Sequence, residues 1–122
     1  MKRLERDEHR EKRIDLEILA DAYDEQERAM GWYFYLNNTC IFPFAAKCIL
    51  PYHKSPLKEG DEVQVSGLAP ESKCLREIYV EAEWDGKDIT VPLVQLQGIE
   101  ADGQTQQAVD DWHYWVGRGY GF

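Results

Sequence analysis

A single α+β domain, a small β-barrel with helices before and after it, is predicted by three features of the sequence. Residues 75–85 alternate between apolar and acidic side chains with a period of two, as a half-buried strand requires. Turn signals recur through residues 40–100 at strand-length intervals, notably at 58–61, 69–72 and 85–86. Segments 14–38 and 104–116 instead carry apolar residues at helical spacing. Composition agrees with one folded unit: 43% of the 122 residues are hydrophobic and 12% aromatic, too many for a disordered chain.

Residues 2–13 are almost all charged, with both signs mixed, which predicts a solvated helix or frayed arm with little to bury. Residues 14–22 are ambiguous, because Ile14, Leu16 and Ile18 alternate while the Leu, Glu and Ala content favours a helix; helix is the reading adopted. Asp24 followed by Glu27 forms an acidic capping box, so a helix should begin near residue 25. Ala29, Met30, Tyr33 and Leu36 share one face of it, and Asn37-Asn38 should end it. Gly31 sits in its middle, where glycine costs about 1 kcal/mol relative to alanine.

Strands are expected at 41–49, 62–68, 76–85, 88–92 and 95–100. Asp85-Gly86 suits a type I′ hairpin turn. The Pro92-Leu-Val-Gln-Leu96 stretch has the character of a single 3₁₀ turn before a last strand, as in an SH3-like barrel, which is the expected architecture. Val109, Trp112 and Val116 define one face of a final helix over 104–116, with Gly117 as its stop and 117–122 as a tail covering the barrel.

Charge excludes several functions. Asp and Glu number 23 against 14 Lys and Arg, a net charge of −9, which argues against nucleic acid and membrane surfaces as partners. It favours cations or a basic protein, and is equally the charge of a protein kept soluble by its acidity. The absence of a long apolar run or a signal-peptide core predicts a cytoplasmic location. Cys40, Cys48 and Cys74 form no C-x-x-C pair and should be free buried thiols. His9, His53 and His113 match no metal spacing and no phosphate-binding glycine motif occurs, so the protein is not expected to be an enzyme.

The acidic strand carries the chemistry. Ile78, Val80, Ala82 and Trp84 face one way, and Glu77, Tyr79, Glu81 and Glu83 the other. With Val63 and Val65 inward, Glu62, Gln64 and Ser66 share that outer side if the two strands are neighbours. A row of like charges is tolerated when solvent screens it, a basic partner covers it, or a cation sits in it. Calcium suits such oxygen donors, yet an EF-hand starting at Asp85 fails, with Thr90 at its sixth position and Leu96 at its twelfth. A calcium site must therefore be assembled from separate segments. Glu62, Glu77, Glu81 and Glu83, joined by Asp61 and Asn38, are the candidate ligands. Asp24, Glu25 and Glu27 are explained by capping, and Asp110 and Asp111 are expected to face solvent in mid-helix.

Several blocks carry a family resemblance: the 21–36 segment with Gly31-Trp-Tyr-Phe-Tyr-Leu36, Phe42-Pro-Phe-Ala-Ala-Lys-Cys48, the 55–63 segment, Val91-Pro-Leu-Val-Gln-Leu96, and Asp111-Trp-His-Tyr-Trp-Val116. Over roughly residues 14–122 the chain resembles the small bacterial calcium-binding proteins of the CcbP type. That resemblance implies a small acidic cytoplasmic protein that takes Ca2+ on surface carboxylates without EF-hands and buffers or sequesters it in calcium signalling. The family pattern has acidic residues where this chain has Asn37 and Asn38, and losing formal charge weakens the electrostatic attraction for the ion. The alternative is an acidic interaction module with calcium binding weak or lost. Its outer face would dock a basic partner while Trp32, Tyr33 and Tyr35 form a groove or cover the barrel. A monomer or weak dimer is expected in either case.

Overall fold

Aspartate caps decide where the helices begin. In the computed structural model, which describes residues 5–52 and 54–120, Asp7, Asp24 and Asp102 precede α1 (Glu8–Glu17), α2 (Glu25–Thr39) and α3 (Gly103–Gly117). Each carboxylate accepts a first-turn N–H that the helix cannot pair itself, as Asp24 does from Glu27 N at 2.8 Å. The bonds that Asp102 receives from Thr105 and Gln104 hold its carboxyl below the usual range. Helix α3 ends in a Schellman motif: Gly119 takes φ +85°, its N–H bonds Val116 O at 2.9 Å, and Tyr120 N bonds Trp115 O at 3.2 Å. The stop is thus Gly119 rather than Gly117. Tyr120 then packs at a tilt on Trp115, 4.5 Å between ring centroids, so Tyr120 covers a helix rather than the sheet; residues 121–122 of the expected tail lie outside the described residues.

Gly31 earns its place in α2. A Cβ there would lie 2.7 Å from the backbone oxygen of Ile18, so a side chain at this position would push the 18–22 turn off the helix. The ambiguous 14–22 segment resolves accordingly: α1 runs through Glu17 and the remainder turns back onto α2.

Of the charged 2–13 segment, residues 5–9 and 12 are exposed, and burial within it is confined to Glu11. Glu11 is 7% exposed and Ile14 fully buried, because α1 lies against the other helices. Leu4 and the two residues before it lie outside the described residues, as does His53.

Five strands, β1 (Phe44–Cys48), β2 (Glu62–Leu68), β3 (Tyr79–Trp84), β4 (Lys87–Pro92) and β5 (Leu96–Gly98), form one antiparallel sheet in the order β4-β3-β2-β1-β5. Pro43, which has no N–H to donate, delays β1 to Phe44. Strand β3 starts only where partners are present, at Tyr79 opposite Pro92 and Val80 opposite Leu68. Asp85 and Gly86 both have positive φ, 50° and 74°, as a type I′ turn demands. The 3₁₀ turn after Pro92 spans Leu93–Gln95.

That turn fixes the shape of the sheet. Strands β4 and β5 are its opposite edges, which in a flat sheet of this width lie about 19 Å apart. The three residues between them reach at most about 14 Å. The sheet must curl. It does not close, since β4 and β5 share no ladder and β5, three residues long, is too short to zip along β4; the sheet is open where a closed barrel was expected.

Helices α2 and α3 pack on the concave side. Val63, Val65, Val80, Ala82, Val91 and Leu96 meet Trp32, Leu36, Val109 and Trp112 there, all 5% exposed or less. Trp32 is the hub, with its ring centroid 5.1 Å from Trp112 and 5.7 Å from Trp115. His113 ties α3 to β5 through Nε2, 2.6 Å from Leu96 O. Burial pushes its pKa below the usual histidine value, against the opposing pull of the Leu96 carbonyl and Asp110. The three cysteines are free and buried, as expected. Burial pushes the Cys40 thiol up to about 12, which leaves it without reactive thiolate.

Candidate functional site

Alternation along β2 and β3 does place Val63, Val65, Val80 and Ala82 inward and Glu62, Gln64, Ser66, Glu81 and Glu83 outward. The two strands are neighbours, with Gln64 opposite Glu83, and a bulge between Val65 and Gly67 lets the Ser66 hydroxyl donate to Glu81 O at 3.1 Å. On the other flank of β3, Glu83 stands opposite Asp88 and Glu81 opposite Thr90. The outer face thus presents Glu62, Glu81, Glu83 and Asp88, all exposed. Asp88 was missed as a candidate, although a two-residue Asp85-Gly86 turn dictates that 83 and 88 pair. Lys47 is the cationic neighbour, opposite Glu62 on β1. Among the described residues none of these four carboxylates makes an ion pair.

The other candidates sit apart from this row. Glu77 precedes β3 and is half-buried, accepting from the Tyr52 hydroxyl at 3.3 Å. Burial raises its pKa, with hydrogen bonds from Tyr52 and Tyr79 opposing. Asp61 serves the turn before β2, accepting from Lys58 N at 2.8 Å. Asn38 lies exposed in the last turn of α2.

The donors are chemically right for a hard cation but are not gathered into a cage. Among the described residues no group of three or more His, Cys, Asp or Glu side chains is positioned to hold a metal ion. Calcium takes about six to eight oxygens, so carboxylates in a cross-strand row would have to turn toward one another and leave much of the coordination to water.

The buried, hydrogen-bonded acidic groups lie elsewhere and are structural. Asp111, expected in solvent, is completely buried. It accepts a two-pronged bond from Arg13, with Nη1 at 3.0 Å, and a third bond from the Tyr35 hydroxyl at 2.8 Å. Arg10 Nε stands 3.5 Å away. The carboxylate raises the Arg13 pKa, while burial first and Asp111 second raise that of Tyr35. Glu11 likewise accepts from the hydroxyls of Tyr114 at 2.7 Å and Tyr120 at 2.9 Å. These bonds link positions 76 to 109 residues apart, so no local pattern could have revealed them. Trp32, Tyr33 and Tyr35 form no groove: Trp32 is fully buried, Tyr33 donates to Ala69 O at 2.8 Å, and Tyr35 is held by Asp111. Among the described residues no helix is long and apolar enough to cross a membrane.

Comparison with known proteins gives a consistent result. A family model described as calcium binding, CcbP type, matches residues 12–116. The crystal structure of Anabaena CcbP is similar over 100% of both chains, with 46% identity and a TM-score of 0.88. A structure described as a calcium binding protein in the calcium-binding form is similar over 96% of both chains, with 45% identity and a TM-score of 0.85. No curated protein matches significantly. With its sequence matched across most of its length and its fold across all of it, this chain belongs to the CcbP family of calcium-binding proteins.

Proposed function

We propose that the protein binds Ca2+ reversibly on the outer face of its sheet and acts as a calcium buffer in the cytoplasm rather than as an enzyme. The observation that carries this reading is the set of exposed carboxylates on β2, β3 and β4, none of them in an ion pair among the described residues, in a chain 45% identical to a protein in a calcium-binding form. Glu81 and Glu83 form the centre of the proposed site, with Asp88 and Glu62 beside them. Asp61 and Glu77 flank the same strands, whereas Asn38, at the end of α2, stands apart from them. The EF-hand plays no part, since no 12-residue loop of that pattern exists here.

Weak, water-rich coordination by donors that are not gathered in advance suits buffering, in which an ion is taken up and released without a large rearrangement. The topology supports an SH3-like reading of the sheet, because a four-strand meander whose fifth strand returns through a 3₁₀ turn to pair with the first curls in that way.

Isothermal titration of the metal-stripped protein with calcium at physiological ionic strength, repeated in excess magnesium, tests the proposal. Saturable binding that persists in magnesium and falls in Glu81→Gln, Glu83→Gln is the expected result. Heat indistinguishable from buffer dilution would overturn it. The outer face would then be read as a contact for a basic protein, sensitive to salt and indifferent to calcium.

A further inference from the structure

A second acidic surface lies on the helical side, remote in sequence from the strands. There the 18–22 turn folds back on α2 and leaves a groove of about 340 Å³ between them. Its floor is apolar. Phe34 is 50% exposed, although its neighbours Trp32, Tyr33 and Tyr35 are drawn into the fold, and the flexible Met30 lies one helical turn before it. Gly31 holds the 18–22 turn close against α2, its Cβ position filled by the Ile18 carbonyl, and so fixes the wall of the groove. The rim is anionic: Glu17, Asp21 and Glu27 line it, and no basic side chain does. Glu17 is partly engaged by Arg13, 3.7 Å away along α1. Among the described residues Asp21 and Glu27 make no ion pair.

We propose that this groove docks a basic amphipathic helix of a partner protein. An apolar floor between two walls of like charge selects a ligand with large apolar side chains on one stripe and Lys or Arg on both sides of it. Such a helix would lay one or two apolar residues over Phe34 and Met30. Its cations would meet Asp21 and Glu27 from opposite walls. A net charge of −9 steers a basic partner toward the molecule and disfavours acidic peptides and anionic lipid surfaces. The proposal does not rest on the calcium reading, because no residue of the groove belongs to the proposed calcium site.

A dye-labelled lysine/leucine peptide, with leucines at i, i+4 and i+7, provides the probe, and its scrambled isomer provides the control. Fluorescence polarisation with the full chain, in calcium-free and calcium-containing buffer, should show saturable binding of the amphipathic peptide alone. Phe34→Ser and Asp21→Lys should each weaken it at least about tenfold. Glu71→Lys, the same charge change at an exposed site away from the groove, should leave it within about twofold. Asp21 is exposed, so Asp21→Lys remains informative should Phe34→Ser fold poorly. Three results would overturn the proposal: no binding, equal binding of the scrambled isomer, or equal losses in Asp21→Lys and Glu71→Lys.

Discussion

Replacing Gly31 with alanine sets two effects of opposite sign against each other. Helix propensity alone favours the substitution by about 1 kcal/mol, because glycine loses more backbone freedom than any other residue in a helix interior. Packing opposes it. The new Cβ would meet Ile18 O at 2.7 Å, about 0.7 Å inside ordinary contact, and Leu19 Cδ2 at 3.5 Å. A flexible side-chain tip could give way cheaply, but a backbone oxygen cannot. Ile18 N and Leu19 N are both bonded to Ile14 O, at 2.9 and 3.0 Å, and the Ile18 side chain is buried. The turn must therefore move as a unit, and overpacking of this kind costs about 1–3 kcal/mol. The net expectation is a loss of about 1 kcal/mol, with packing winning. An unfolding entropy of about 2.1 cal/mol/K per residue over 122 residues makes that about 4 °C in Tm. Thermal unfolding followed by far-UV circular dichroism reads the shift directly. A Tm raised by about 4 °C would refute the reasoning, since it would mean that the turn yields freely and propensity alone governs the site.

Asp111→Ala leaves the partly exposed Arg13 guanidinium with Glu17 and takes the acceptor from the Tyr35 hydroxyl, and should cost about 1.5–3 kcal/mol in urea unfolding, with Asp111→Asn costing less because it can still accept from Tyr35. His113 is held neutral in the fold and titrates near pH 6.5 when unfolded, so the unfolded chain takes up the extra proton. Its contribution is complete above about pH 6.5 and is lost as pH falls below that value; His113→Gln should flatten this part of the stability profile, and an unchanged profile would exclude the assignment.

The elements that could be read from sequence are those specified within a few residues. Asp24 and Glu27 mark the start of α2, Asp85-Gly86 fixes the hairpin, and the β2 and β3 alternation separates buried Val65 and Val80 from exposed Gln64 and Glu81. Strand ends were less legible, because β3 stops where its neighbours stop. Asp111 was misread for a further reason: a carboxylate looks solvent-bound until the arginine that neutralises it is brought from another helix. Of the candidate ligands, the outward orientation of Glu62, Glu81 and Glu83 could be read from periodicity. The hydrogen-bonded settings of Asp61 and Glu77 depend on the Lys58 turn and on Tyr52, which no spacing rule predicts.

The α1–α3 clasp has an engineering consequence. Asp7 N donates to the Tyr114 hydroxyl at 2.8 Å, and the Tyr120 hydroxyl reaches Glu11, so the chain enters and leaves the described structure at one place on its helical layer. A short linker could join those two ends, and new termini could be opened at the exposed Asp85-Gly86 turn without cutting a strand. The same adjacency would allow the whole unit to be inserted into a surface loop of a host protein. Its carboxylate-bearing face would remain free, and the host would gain an acidic module that does not pull the loop apart.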